Sequence, residues 1–271
     1  MGIVVEALTS FIAFGGIVST PGMYASGIEN PYVFPATTSG DRLKIDAGIG
    51  THFSDIPWWY GFVSLPSFRF LGSSFVGYAG IEGSATGFRE YGSMGEETNQ
   101  RVFIDSVVSA GAVTNIRDSV KIGVKASAGI QKTRRYAFSL RGSLGILYTG
   151  RSLPFEAGLG VSDLGIDRFS GFGFSLFGRY RVLKELEVRA GGEFSYTGSE
   201  AKPITLNEAV LSAGWKGNGA GISFGGLGTG VFIFARPAKF ISDKLPEVFI
   251  RGSYSFVAGA FDLFFGVGYR I

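Results

Sequence analysis

The chain has no cysteine among its 271 residues and only one histidine. The first absence removes disulfides, thiolate metal sites and cysteine nucleophiles. The second leaves any imidazole chemistry to His52 alone. Long charge-free runs are also scarce. The 25 Lys+Arg and 22 Asp+Glu recur along most of the chain, which excludes a bundle of apolar helical spans of about twenty residues. A net charge of +3, with no basic cluster interleaved with aromatics, gives nothing to track a phosphate backbone, so nucleic acid is not an expected partner. No cofactor is expected, and no spacing suggests a metal site. The glycine-rich GGLGTG at 225–230 lies among β hairpins, without the strand and helix that a dinucleotide fingerprint requires.

One stretch does lack charge, Leu8 to Ile28. No Lys or Arg precedes it, Glu6 sits just ahead, and Gly15, Gly16, Pro21 and Gly22 interrupt a helix, which argues against a signal peptide or an anchor. The reading is a mature segment folded in or under the rest of the protein.

What the chain has in quantity is glycine and phenylalanine, 43 and 26 residues, with 15% aromatics overall. Their order is informative. In the last twelve residues, AFDLFFGVGYRI, Phe261, Leu263, Phe265, Val267, Tyr269 and Ile271 share one face of a strand, and Asp262, Phe264, Gly266, Gly268 and Arg270 share the other. Lipid against one face and a lumen against the other explain this pattern. The alternation repeats upstream. Val120, Ile122, Val124, Ala126, Ala128 and Ile130 alternate with Lys121, Gly123, Lys125, Ser127, Gly129 and Gln131, and Tyr136, Phe138, Leu140, Leu144, Ile146 and Tyr148 with Ser139, Arg141, Ser143 and Gly145.

Further strands are predicted over 43–53, 101–112, 153–162, 169–182, 186–197, 205–216, 219–227, 247–256 and 259–271, and, less regularly, over 58–65, 68–82 and 85–91. The expected fold is a single all-β domain: a transmembrane antiparallel up-and-down β-barrel of about 14 strands, 12 being possible, with strands long enough to cross a hydrocarbon layer. Residues 43–271 form the wall, and 1–40 a plug-like segment in or at the lumen. Counting crossings with 228–246 as a connection puts it on the same face as the connection at 92–100, the periplasmic one if both termini are periplasmic. An extra strand at 229–235 would change that parity.

Two sets of residues follow from the phase. Tyr136 and Tyr148 end one outward face, and Trp58, Tyr180, Tyr196, Trp215, Tyr254 and Tyr269 also fall near strand ends, as aromatic girdles at the lipid interfaces require. Asp105, Lys121, Lys125, Arg141, Glu156, Arg179, Arg181, Glu187, Arg189, Glu193 and Asp262 point inward, because a charge facing lipid at midplane costs about 2–4 kcal/mol. Inward glycines leave room for another segment to approach the wall.

The chain thus resembles bacterial outer-membrane β-barrels, with FDLFFGVGYRI similar to the carboxy-terminal strand read by the barrel-assembly machinery, although Ile271 stands where a terminal Phe is usual. A narrower resemblance is to fatty-acid-transporter-like barrels and their secretion-associated relatives. It is carried by Gly15-Gly16, by Asn30-Pro31 and Pro35-Ala36 in ENPYVFPA, and by the strand count. It implies a segment tucked into the lumen, partnership with the lipid bilayer, and a passive channel or hydrophobic-solute transporter in the outer membrane rather than an enzyme. The alternative is a non-conducting barrel that anchors a periplasmic or surface assembly. His52 and Ser54, two apart on one strand face, resemble the His-x-Ser of lipid-hydrolysing barrels. Asp55 follows where those enzymes have Asn, and the phase turns both residues inward, so hydrolase is a minor alternative.

Overall fold

Alternating apolar and polar residues satisfy a strand whose faces meet different surroundings, and a ring of such strands leaves no unpaired edge in lipid. The computed structural model of the protein builds that ring. It describes residues 20–28, 34–37, 40, 42–52, 56–91, 97–132, 136–150, 154–165, 172–196, 204–225, 228–237, 246–256 and 259–270. One six-residue helix, α1 (Thr20–Ala25), precedes β1 (Lys44–His52), β2 (Ile56–Ser64), β3 (Phe68–Phe70), β4 (Ser73–Tyr91), β5 (Glu97–Arg117), β6 (Val120–Lys132) and β7 (Tyr136–Thr149). Then follow β8 (Phe155–Gly165), β9 (Phe172–Arg181), β10 (Leu186–Tyr196), β11 (Ile204–Trp215), β12 (Asn218–Gly225), β13 (Gly228–Ala235), β14 (Glu247–Ser255) and β15 (Ala260–Arg270).

Each wall strand pairs antiparallel with its neighbours, β1 closes on β15 from Lys44↔Arg270 to Gly50↔Phe264, and β2 pairs with β4. The result is a closed barrel of 14 strands, with the short β3 lying outside the ring as a flap on β4. The outward face of β15 shows Phe261, Leu263, Phe265, Val267 and Tyr269 exposed, while Phe264, Gly266 and Gly268 are buried within.

Three details differ from the reading of the sequence. Residues 73–91 form one continuous 19-residue strand where two were expected, because β5 offers a partner of matching length. Residues 229–235 do form a strand, within β13, so nine strands, β5 to β13, separate the β4–β5 connection from the β13–β14 connection. Those two connections therefore lie at opposite ends of the barrel, not on one face. Finally, Pro21 and Gly22, read as interrupting a helix, lie within α1, and Gly27 ends it. Pro21 falls in the first turn, where a missing N–H is harmless, and Gly27 adopts φ 81° just after the last turn. Gly27 N donates to the Tyr24 carbonyl at 2.8 Å and Ile28 N to the Met23 carbonyl at 3.0 Å, the paired bonds of a Schellman stop.

Candidate functional site: the barrel lumen

The described part of the amino-terminal segment lies inside the ring, and the wall holds it chiefly by its backbone. Arg189 on β10 donates to the Tyr24 carbonyl at 3.1 Å, Ser212 on β11 donates to the Ala25 carbonyl at 2.6 Å, and Arg236 donates to the Gly27 carbonyl. Side chains of the barrel thus satisfy the Ala25 and Gly27 carbonyls at the end of a short helix and give the Tyr24 carbonyl, which already accepts from Gly27 N, a second bond. Tyr24 itself donates to Glu156 at 3.1 Å, Glu156 is bridged by Arg179 at 2.8 Å, and Arg189 is also paired with Glu187 at 2.8 Å. The Arg189 guanidinium lies 5.5 Å from the Tyr24 ring centre.

Ten residues further on, Phe34, Pro35 and Ala36 rest on a shelf of glycines. Gly123, Gly145 and Gly160 are direct cross-strand partners on β6, β7 and β8. A Cβ on Gly123 would strike the Pro35 carbonyl, one on Gly160 would strike the Phe34 ring, and those on Gly145 and Gly158 would come within 3.1 and 3.0 Å of it. Only glycine lets the segment lie this close to the wall. Phe177 completes the pocket, with its ring centre 4.8 Å from those of both Phe34 and Tyr24.

The opposite half of the lumen is filled by rings that the wall carries itself. Trp58 and Tyr60 of β2, Phe264 of β15, Phe249 of β14, and Phe232 and Phe234 of β13 are all buried. Trp58 and Phe264 are 5.4 Å apart, Tyr60 and Phe264 5.8 Å, and Phe249 and Phe264 5.7 Å. Here too glycines face the rings: Gly221 is the cross-strand partner of Phe232, Gly219 of Phe234 and Gly48 of Tyr60.

Of the inward charges expected from phase, Glu156, Arg189 and Glu193 are buried, and Arg179 and Glu187 are joined to the first two as described. Asp105, Lys121, Lys125, Arg141 and Asp262 are half-buried. Arg181, the last residue of β9, is exposed at the rim. Of the girdle aromatics, Tyr136, Tyr148, Tyr180, Trp215, Tyr254 and Tyr269 are exposed and Tyr196 is half-buried against Phe172.

Trp58 is a correction. It is 2% exposed inside the lumen, and its neighbour Trp59, 36% exposed, is the outward one. Two adjacent tryptophans leave the phase undecided, and the register Gly50↔Trp58 with Gly50↔Phe264 places Trp58 on the inner row. Ser54 and the side chain of His52 lie outside the described residues.

Sequence reading missed Arg236, Arg251 and Glu208. Arg251 could have been found, since it alternates with Phe249 and Ser253 against the outward Ile250 and Tyr254. Glu208 could have been found too, since it continues the inward row of Val210, Ser212 and Gly214; the bulge in β11 breaks the alternation only on its other side, between Glu193↔Glu208 and Phe194↔Leu206.

Closed ring, apolar outer belt and inward polar, glycine and aromatic rows define a porin-like transmembrane β-barrel of the outer-membrane type. No family model matches the chain, and no curated protein matches it in sequence. Among solved structures, the toluene transporter TodX of Pseudomonas putida is similar with a TM-score of 0.63 at 12% identity, over 95% of this chain and 98% of that one. A TodX variant described as a monoaromatic hydrocarbon channel matches at 0.58 and 10% identity, over 86% of this chain and 91% of that one. The KdgM porin matches at 0.45 and 14%, over 84% and 99%.

Proposed function

We propose that the protein is a passive outer-membrane channel for small apolar solutes, narrowed by its own amino-terminal segment. The observation that carries this reading is the seating of that segment: the backbone carbonyls of Tyr24, Ala25 and Gly27 taken up by Arg189, Ser212 and Arg236, and Phe34 laid on a glycine shelf. A barrel that only anchored other proteins would have no need to fit a polar-capped helix turn into a lumen half lined with aromatic rings. The shared fold with TodX, described as a toluene transporter, supports an apolar cargo. Buried aromatic walls offer such a solute dispersion contacts without asking it for hydrogen bonds. The ion pairs Glu156–Arg179 and Glu187–Arg189 neutralise one another, which fits a pore with weak ion preference. The exposed apolar row of β15 is the surface on which the barrel-assembly machinery would recognise the chain.

Planar-bilayer conductance tests the reading. Removing residues 1–38 should leave a barrel that still shifts mobility on boiling in SDS-PAGE and conducts more current than the full chain. A deletion protein that folds and conducts no better would remove the channel reading and return the non-conducting anchor to first place.

A further inference from the structure

Two hairpins at the rim where β1 begins and β15 ends close on two-residue loops of the same backbone. Leu71-Gly72 joins β3 to β4 with φ 49° and 81°, and Lys216-Gly217 joins β11 to β12 with φ 51° and 82°. Both residues of such a loop are left-handed, a conformation that strains a bulky side chain. At Lys216 the surroundings are polar: its ammonium is 3.4 Å from Glu185 and 5.2 Å from the centre of the Trp215 ring. Leu71 is instead 88% exposed, a strained apolar residue that would gain nothing by facing water.

The apolar surface around Leu71 is continuous with the outer belt. Phe68 and Phe70 of β3, Leu65 just before it and Ile116 near the end of β5 are all exposed. The ring centres of Phe68 and Phe70 lie 6.2 and 6.4 Å from that of Phe75 on β4. A Cβ on Gly77 would point at Leu65 and Phe68, 3.6 and 3.7 Å away. That direction is outward, because the neighbouring Val76 and Tyr78 are buried on the lumen side. Register then carries the same face into the belt. Phe68 faces Phe75, Phe75 faces Thr114, and the row runs on through Ile122, Ile146, Leu159 and Leu176. The last three are exposed members of the lipid-facing surface.

We infer that the β3–β4 hairpin is a membrane anchor that inserts Phe68, Phe70 and Leu71 into the lipid leaflet beside this rim. Transfer of Leu71 out of water offsets the strain of its backbone. Arg69 alternates with the two phenylalanines, is exposed, and has a stem long enough to keep its guanidinium among the headgroups. The anchor also holds the amino-terminal segment. Ser67 N, at the foot of the hairpin, donates to the Gly40 carbonyl at 2.7 Å, and a Cβ on Gly40 would strike the Val76 side chain. The inference goes beyond the channel reading and holds equally for a barrel that conducts nothing.

Because the chain has no cysteine, an introduced thiol carries a unique label. Leu71→Cys and Lys216→Cys, each labelled with nitrobenzoxadiazole and checked for heat-modifiable mobility, are compared in phosphatidylcholine–phosphatidylglycerol vesicles. The label at position 71 should emit further to the blue than the label at 216, be quenched more by a nitroxide on the lipid acyl chain, and be shielded from aqueous iodide. A second measurement needs no label. Leu71→Asn and Lys216→Asn relieve the same backbone strain, since asparagine tolerates the left-handed conformation, so the difference between them reads the surroundings. In vesicles the urea unfolding midpoint of Leu71→Asn should fall below that of Lys216→Asn. Iodide quenching at 71 as strong as at 216, or a Leu71→Asn midpoint equal to or above that of Lys216→Asn, would overturn the anchor. So would a label at 71 shielded from both quenchers, the sign that a second copy of the chain rather than lipid covers the hairpin.

Discussion

The two halves of the lumen solve one packing problem differently. From β6 to β11 the wall is hollowed by glycines in register and refilled by a separate piece of chain, α1 and the Phe34 turn. From β12 round to β2 the glycines are just as regular, but the rings that cover them belong to neighbouring strands of the wall. The first half can in principle be emptied without unmaking the barrel, and the second cannot. Polar contacts follow the same division. The segment side is knit by Glu156–Arg179, Glu187–Arg189 and the carbonyl caps, whereas on the ring side the buried Arg251 Nε has no hydrogen-bond partner among the described residues.

If the difference is confined to the interior, substitutions on the lipid face must ignore it. Leu140→Arg on β7 and Ile233→Arg on β13 both place a charge in hydrocarbon, and each should lose about 2–4 kcal/mol in a detergent-refolding titration. Ser139→Arg, one residue from Leu140 and turned inward, should be far milder. Equal damage from Leu140→Arg and Ser139→Arg would mean the faces are assigned wrongly.

The interior comparison is sharpest at paired glycines. A methyl at Gly221 would meet the Leu211 carbonyl at 2.6 Å as well as the Phe232 ring, so Gly221→Ala should destabilise the barrel by about 1–3 kcal/mol. At Gly160 the same methyl meets the Phe34 ring, which belongs to the segment. Gly160→Ala should leave refolding nearly unchanged and instead raise conductance and open residues near 34 to protease. Similar stability losses at both sites would show that the segment is part of the core.

The smallest effect is expected from a single hydroxyl. Tyr24→Phe removes the 3.1 Å bond to Glu156 but keeps the ring against Phe177, and should loosen the segment by about 0.5–1.5 kcal/mol. It would be seen as noisier single-channel current with an unshifted unfolding midpoint. A shifted midpoint would again join segment and wall into one unit.

Much of the outer surface was legible in the sequence because lipid imposes a strict period of two, and one strong phase carries along each strand. The interior was less so. Neither the adjacent pair Trp58-Trp59 nor the run TGVFIFA declares a face, and the bulge between Leu206 and Glu208 shifts the phase of β11 without changing composition. The glycines could be read as room for another segment, but which glycines would receive Phe34 depends on cross-strand register, which aligns Gly123, Gly145 and Gly160 from three separate strands. Helix α1 was hidden for a different reason. It is one and a half turns long, too short for periodicity to show, and it is stabilised by wall residues more than 130 positions away, such as Glu156.

Where the segment sits also bears on how the ring can close. Its partners are on β6 to β11, in the middle of the chain, with Arg236 just past β13, whereas the seam joins β1 to β15 and brings Lys44 beside Arg270. The seam contacts span almost the whole chain and are entropically the last to form. An open, curling sheet already presents the glycine shelf and the carbonyl caps. The segment can therefore dock on that sheet from its open side and be enclosed as the edges meet, with no need to thread into a finished pore.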